Sequence, residues 1–307
     1  MDIKGKVVFS SGKKGDYDIW TINLASKEIS QLTSGPFWND CPKWSPDGKK
    51  IVFISNRSGT PEIFIMDEDG KNQQQITSSG KWHNTPDWSP DGKQIVFCAN
   101  YKENIDVFVM NIDGSGLKQI TSYEGMDFNP QFSPDGKTII FTSQRSGNDD
   151  IWKFDLNTAQ LKQVTTYKYK DFSPTYSNDG SMIAFVCEEP VSGDYGNMEI
   201  YLMDKDGKNR RRVTRNLGVD RYVCWSPDSK YIIYTSSHPN STAERLMVVD
   251  LQKMIKSKID FDRSGIEAEI DAEPKGFGIF SFFPDGVVRK FYPEAYFGTE
   301  RYPDWKY

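Results

Sequence analysis

Trp44-Ser45-Pro46-Asp47-Gly48-Lys49 decides the fold of this chain, because it returns. It reappears as Trp88-Ser89-Pro90-Asp91-Gly92-Lys93 and as Phe132-Ser133-Pro134-Asp135-Gly136-Lys137. Looser copies stand at Tyr176-Ser177-Asn178-Asp179-Gly180 and Trp225-Ser226-Pro227-Asp228-Ser229. The aromatic positions 44, 88, 132 and 176 are each 44 residues apart, and the next step is 49. A fixed period of this length marks a stacked or radial repeat. Pro-Asp-Gly itself is a turn: Pro presets φ, Asp bonds to the backbone ahead, and Gly accepts positive φ.

The residues around the turn read as strands. Behind it lies Pro42, and ahead lies a β-branched and aromatic run, Ile51-Val52-Phe53. An eleven-residue step then joins Phe9 to Trp20, Phe53 to Phe64, Phe97 to Phe108 and Phe141 to Trp152. Each unit closes on a short run ending in Thr33, Thr77, Thr121, Thr165 or Thr214. One unit is therefore four short antiparallel strands, A to D, the size of a propeller blade. The first unit supplies B, C and D but no A. Tyr302-Pro303-Asp304-Trp305 matches Thr85-Pro86-Asp87-Trp88 at Pro, Asp and Trp, so the C-terminal residues 299–307 are expected to close the ring as the missing inner strand. The expected fold is all-β: one six-bladed propeller domain spanning 1–307.

Two departures interrupt the period. Residues 188–196 lengthen the B–C connection of the fifth unit by five residues, and the step from Trp225 to Trp305 is 80. The inserted segment, about 252–298, starts with a short helix or a degenerate strand D at 252–261. It ends in an aromatic hairpin at 276–297, which either packs on the blades or presents a partner surface.

Bulk properties narrow the function. The 307 residues carry a net charge of −5, which argues against nucleic acid as a partner, since phosphate binding needs a basic face. No apolar run approaches the roughly 18 residues of a membrane span. The N-terminus has no signal-peptide core, which fits a cytoplasmic protein or one whose export signal has been removed. Cys41, Cys98, Cys187 and Cys224 have no metal-ligand spacing and read as buried free thiols. A monomer is expected.

The repeat P-x-W-S-P-D-G-K-x-I-x-F-x-S-x-R-x-G, followed by I-(F/Y/W)-x-M-D and a terminal (I/V)-T, resembles the TolB-type β-propeller repeat, a WD-like family. Arg57 and Arg145 complete it in the second and fourth units. The resemblance covers roughly residues 5–250 and 299–307 and implies a six-bladed ring. TolB itself adds an N-terminal α/β domain and docks cell-envelope proteins; the repeat is expected to leave no room for such a domain within these residues, so the docking role is not expected to carry over directly.

The candidate site lies a few residues before each Trp-Ser-Pro-Asp-Gly copy. Three residues ahead of each strand-A Pro or its Val equivalent stand Asn39, His83, Asp127, Asp171, Asp220 and Glu300. D–A loops of a propeller converge at one mouth of the channel, and the B–C loops with Arg57 and Arg145 rim the same face. Trp38, Trp82, Arg221 and Arg301 flank the ring. Three readings follow: a non-catalytic binding propeller for a peptide, a sugar or a cation; a carbohydrate-active enzyme using the mouth carboxylates; and a scaffold using the 276–297 hairpin. No cofactor is expected beyond a divalent cation in the channel, for which Asp127, Asp171 and Asp220 are the candidate ligands. With only two histidines, His83 and His238, a His-rich metal centre of the oligogalacturonate-lyase kind is excluded.

Overall fold

The Trp-Ser-Pro-Asp-Gly phrase forms the tight turn its chemistry dictates. Asp47 accepts hydrogen bonds from the Ser45 hydroxyl at 2.7 Å and the Lys49 amide at 3.1 Å. Gly48 follows at a φ of 71°, which an L side chain rarely tolerates. Asp91, Asp135, Asp179 and Asp228 repeat the arrangement, so the periodic carboxylates are turn groups. The aromatic residue before each turn is core: Trp44, Trp88, Phe132, Tyr176 and Trp225 are all buried.

The structure is a computed structural model that describes residues 5–13, 16–102, 104–189, 197–215, 219–237, 245–252, 255–258 and 280–282. Blade 1 holds β1 (Lys6–Lys13), β2 (Asp16–Asn23) and β3 (Ile29–Gln31). Blade 2 is β4 (Asn39–Trp44), β5 (Lys50–Ser55), β6 (Glu62–Asp67) and β7 (Gln74–Gln75). Blade 3 is β8 (His83–Trp88), β9 (Gln94–Ala99), β10 (Asp106–Asn111) and β11 (Lys118–Gln119). Blade 4 is β12 (Asp127–Phe132), β13 (Thr138–Ser143), β14 (Asp150–Asp155) and β15 (Leu161–Gln163). Blade 5 is β16 (Lys170–Tyr176), β17 (Met182–Glu188), β18 (Met198–Asp204) and β19 (Arg211–Arg212). Blade 6 is β20 (Val219–Trp225), β21 (Tyr231–Ser237), β22 (Arg245–Asp250) and β23 (Ile255–Lys258), which identifies the start of the inserted segment as strand D.

A last strand, β24 (Phe280–Phe282), completes blade 1 by pairing antiparallel with β1 at Val7↔Phe282 and Phe9↔Phe280. The inner strands then touch in cyclic order: β24 to β4, β8, β12, β16, β20 and back to β24. A C-terminal segment therefore closes six four-stranded antiparallel blades into a ring. The closing residues differ from the expected Tyr302–Trp305, which lie outside the described residues. The open edge of β1 offers only backbone groups, so any extended segment of suitable length satisfies it, and the Pro-Asp-Trp signature is not required. The sequence pattern puts Phe280–Phe282 in an aromatic hairpin, whereas the structure uses it to close the ring; the rest of 276–297 lies outside the described residues.

Each inner strand from blade 2 to blade 6 carries a β-bulge where the register slips, at 40/43, 84/87, 128/131, 172/175 and 221/224. Cys41, Thr85, Asn129, Ser173 and Tyr222 sit there at φ values of 49° to 61°, just before the Pro or Val. The bulge sharpens the strand's bend beside the channel. All four cysteines are free and buried, two of them in these inner strands.

Blades also touch through their C–D turns. A Cβ on Gly114 would lie 2.6 Å from the Ile76 carbonyl oxygen of blade 2, and Gly70 and Gly207 meet Leu32 and Val164 in the same way. Gly114→Ala should therefore cost about 2 kcal/mol or more, from strain plus the clash. Gly59→Ala, also at positive φ but with nothing near the added Cβ, should cost less. Urea midpoints of the two variants measure the difference; equal losses would contradict the inter-blade contact.

Candidate functional site

Asn39, His83 and Asp127 are the first residues of β4, β8 and β12, while Asp171 and Asp220 are the second residues of β16 and β20. Strand A begins on the face where strand B ends, and the pairing confirms one level: Asn39↔Ser55, His83↔Ala99, Asp127↔Ser143, Asp171↔Cys187 and Asp220↔Ser236. All five polar residues are 0 % exposed. They form a series at one end of the ring, and they face neighbouring protein rather than open water. Glu300 and Arg301 lie outside the described residues.

Two of the buried carboxylates at this level, Asp127 and Asp171, are paired with arginine. In blade 4 Arg145 donates from Nη2 to Asp127 Oδ2 at 2.7 Å and from Nε to Ser143 Oγ at 2.7 Å. Its guanidinium lies over Tyr123, Phe141 and Trp152. In blade 2 Arg57 makes the neutral version, to Asn39 Oδ1 at 2.7 Å and Ser55 Oγ at 2.9 Å, over Phe53 and Phe64. Burial pulls the Arg57 pKa down, against the charge of Asp18. In blade 5 Glu189 stands where an arginine is found in blades 2 and 4, and the cation comes from elsewhere. Arg210, just before β19, reaches Asp171 Oδ2 at 2.5 Å and lies over Tyr167, Phe185 and Tyr201. The repeat did not announce Arg210, because its position along the blade is not that of Arg57 and Arg145.

A second polar series, which the turn repeat does not mark, sits at the head of strand C. Asp18, Glu62, Asp106, Asp150 and Glu199 are separated by 44, 44, 44 and 49 residues. Each accepts a hydrogen bond from the blade's closing threonine: Thr33 at 2.8 Å, Thr77 at 2.5 Å, Thr121 at 3.4 Å, Thr165 at 3.2 Å, and Thr214. The same threonine oxygens accept the amides of Ile19, Ile63, Val107, Ile151 and Ile200.

The two series meet at the blade boundaries. Asn39 donates to Asp18 Oδ1 at 3.1 Å, and His83 Nδ1 lies 3.2 Å from Glu62 Oε2. The backbone joins too: the amides of His83, Asp127 and Asp171 donate to the carbonyls of Pro61, Ile105 and Asp149 in the preceding blade. Further round, carboxylate faces carboxylate. Burial raises the pKa of Asp106, and the charge of Asp127 adds to the rise. Burial likewise raises Asp171 by more than Arg210 lowers it, with Asp150 adding to the rise. Asp127 and Asp171 each keep Oδ1 buried with no hydrogen-bond partner among the described residues. Such an oxygen accepts a proton or an ordered water. Among the described residues no three His, Cys, Asp or Glu side chains stand close enough to hold a metal ion, so Asp127, Asp171 and Asp220 are not gathered on one point.

What this face shows to solvent is the D–A loops. Phe37, Tyr123 and Tyr167 are 38 %, 36 % and 42 % exposed, while Trp38 is buried and Trp82 half-buried. Tyr169 packs edge-on against Tyr167, and Lys168 lies over Tyr169. Arg221 is part-buried beside the Tyr222 ring, on the inner strand of blade 6.

Two consequences are measurable. Arg145→Met leaves Asp127 charged in a buried position, so it should cost about 3 kcal/mol in urea unfolding, and Asp127→Asn/Arg145→Met should recover most of that loss. Equal losses in the single and double variants would show that the pair is not an isolated buried charge couple. Of these residues His83 has the ordinary pKa nearest neutrality, and burial lowers it below 6.5, more than Glu62 and neighbouring carbonyls raise it. A lowered folded value means that its contribution is present above the unfolded pKa and lost as pH falls through the folded one. Between about pH 7.5 and 5.5 the urea midpoint should therefore drop further in the wild-type chain than in His83→Asn. An identical drop would show that His83 does not titrate as a buried neutral group.

The comparisons with known proteins match this geometry. The family model of the TolB beta propeller domain matches residues 4–104, 82–192 and 149–243. The structure of TolB from Acinetobacter baumannii superposes with a TM-score of 0.76 at 22 % identity, covering 94 % of this chain and 68 % of that one. A protein of Agrobacterium tumefaciens solved as a TolB gives 0.68 at 18 %, covering 84 % and 88 %. An oligogalacturonate lyase in complex with manganese gives 0.55 at 15 %, covering 84 % and 74 %. These structural likenesses concern the fold. No curated protein sequence matches the chain.

Proposed function

Because this chain belongs to the TolB beta propeller family, we propose that it is a binding propeller that takes a protein segment across its D–A loop face. The observation that carries the reading is the division of labour at the mouth. The carboxylates Asp127 and Asp171 are buried and ion-paired to Arg145 and Arg210, while the aromatic rings of Phe37, Tyr123 and Tyr167 stand in solvent. Rings of this kind supply large contact area at low conformational cost and recur as anchors in protein recognition. The ion pairs beneath hold them in place: Tyr123 and Tyr167 rest on the guanidinium groups of Arg145 and Arg210.

The same facts weigh against an acid–base role in sugar cleavage. A general acid or base must reach the bond it protonates. Asp127, Asp171 and Asp220 are 0 % exposed, and the first two already accept arginine hydrogen bonds. Sugars also stack on aromatic rings, so a carbohydrate ligand is the second reading of this surface. A cation in the channel stays a proposal that rests on the unpartnered oxygens of Asp127 and Asp171 alone.

Selection of a displayed random peptide library on the immobilised protein tests the first reading. Enriched peptides should bind the wild-type chain and lose about tenfold or more in affinity with Tyr123→Ala/Tyr167→Ala. No enrichment, or binding indifferent to both tyrosines, would contradict it. A glycan array showing tyrosine-dependent binding instead would replace the peptide with a sugar.

A further inference from the structure

Blade 3 departs from its neighbours at three linked positions of the mouth face. It has His83 where blades 4 and 5 have Asp127 and Asp171, and Tyr101 where blade 4 has Arg145. It has Ser79 where those blades place Tyr123 and Tyr167 over their arginines. The neighbouring blades show that folding does not require this set. Its members form one connected chain. His83 Nδ1 lies 3.1 Å from the Pro61 carbonyl and 3.2 Å from Glu62 Oε2, both acceptors, so Nδ1 carries the hydrogen and Nε2 offers a lone pair. The Tyr101 hydroxyl, 2.9 Å from Nε2, donates to it. Ser79 Oγ lies 3.5 Å from the same nitrogen, near enough to the Tyr101 hydroxyl to hold that group's pKa down against the rise that burial causes.

The inner end of the chain is fixed. Glu62 is 1 % exposed and accepts the Thr77 hydroxyl at 2.5 Å and the Gly80 amide at 2.8 Å. The outer end is open. Ser79 is exposed, Tyr101 is part-exposed, and a serine lacks the ring with which Tyr123 and Tyr167 cover their partners. An exposed hydroxyl, a neutral imidazole within reach and a buried carboxylate behind it make the arrangement of an activated serine.

We infer that Ser79 is a nucleophilic serine that takes an acyl group from an activated ester. Ser79 Oγ bonds to the acyl carbon, and the bond from that carbon to the leaving oxygen breaks. The Ser79 proton passes to the Tyr101 oxygen as the Tyr101 proton passes to His83 Nε2. The imidazolium, beside Glu62, then gives its proton to the leaving oxygen, which departs as an alcohol or phenol. The relay needs the Ser79 and Tyr101 hydroxyls to close on each other, and such contacts commonly tighten when a substrate binds. This reactivity is independent of the tyrosine surface on blades 4 and 5.

A fluorophosphonate probe reads the inference directly, because it bonds to activated serine with loss of fluoride. One adduct should form on the native chain and map to the peptide containing Ser79. It should be absent from Ser79→Ala and from chain denatured before labelling. Tyr101→Phe should slow it about tenfold or more, and His83→Asn about a hundredfold, the usual scale for loss of a general base. Tyr101 is part-exposed, so its variant keeps the test valid even where His83→Asn unfolds. An adduct on another residue, no adduct, or a rate unchanged by Tyr101→Phe and His83→Asn would overturn the inference.

Discussion

The hydrogen bond between a blade's closing threonine and the carboxylate at the head of its strand C is the contact on which the rest of the ring depends. It fixes strand D against strand C within the blade, as in Thr77 to Glu62. It also aims the carboxylate at the first residue of the next inner strand, as in Glu62 to His83. A blade is a twisted sheet that cannot bury both faces by itself, and it gains stability only when its neighbour arrives at the right angle. The threonine–carboxylate link sets that angle at one end of the ring. The close approach of Gly70, Gly114 and Gly207 to the preceding blade sets it at the other.

Charge at the mouth follows from the same packing. Inner strands crowd together round the channel, so the polar residues that start them leave water. Each then needs a partner, and the partners vary: Asn39 with Arg57, His83 with Tyr101, Asp127 with Arg145, Asp171 with Arg210. The variation preserves a satisfied hydrogen bond while changing the net charge of each boundary. Desolvation exceeds attraction for Asp171, whose pKa rises in spite of its arginine. Blade 3 has a histidine in the place of Asp127 and Asp171, beside the Glu62 carboxylate of blade 2, and exposes the outer hydroxyl of Ser79. One architecture thus offers aromatic rings on arginines in blades 4 and 5 and a polar relay in blade 3.

The blades were legible because a turn that needs Pro, Asp and Gly at fixed places repeats with the period of the fold. The level of the mouth was legible for the same reason, since Asn39, His83, Asp127, Asp171 and Asp220 keep step with the turn. Their burial was not, because a polar residue on a loop edge reads the same whether it faces water or a neighbouring blade. The series from Asp18 to Glu199 keeps the same step, but it mixes Asp with Glu at strand starts, where solvated carboxylates are ordinary. The closing strand was hidden for a different reason. Within the 80 residues from Trp225 to Trp305, pairing with β1 is a backbone matter, and Phe280–Phe282 carries none of the repeat's side-chain signature.

Native-state hydrogen exchange at the five amides bonded to the threonine oxygens, those of Ile19, Ile63, Val107, Ile151 and Ile200, tests this account most directly. If the links bind the blades into one closed unit, all five exchange with the same opening free energy, equal to that of global unfolding. Opening free energies that fall blade by blade from one side of the ring to the other, below the global value, would mean that the blades open separately and that the links do not hold the ring.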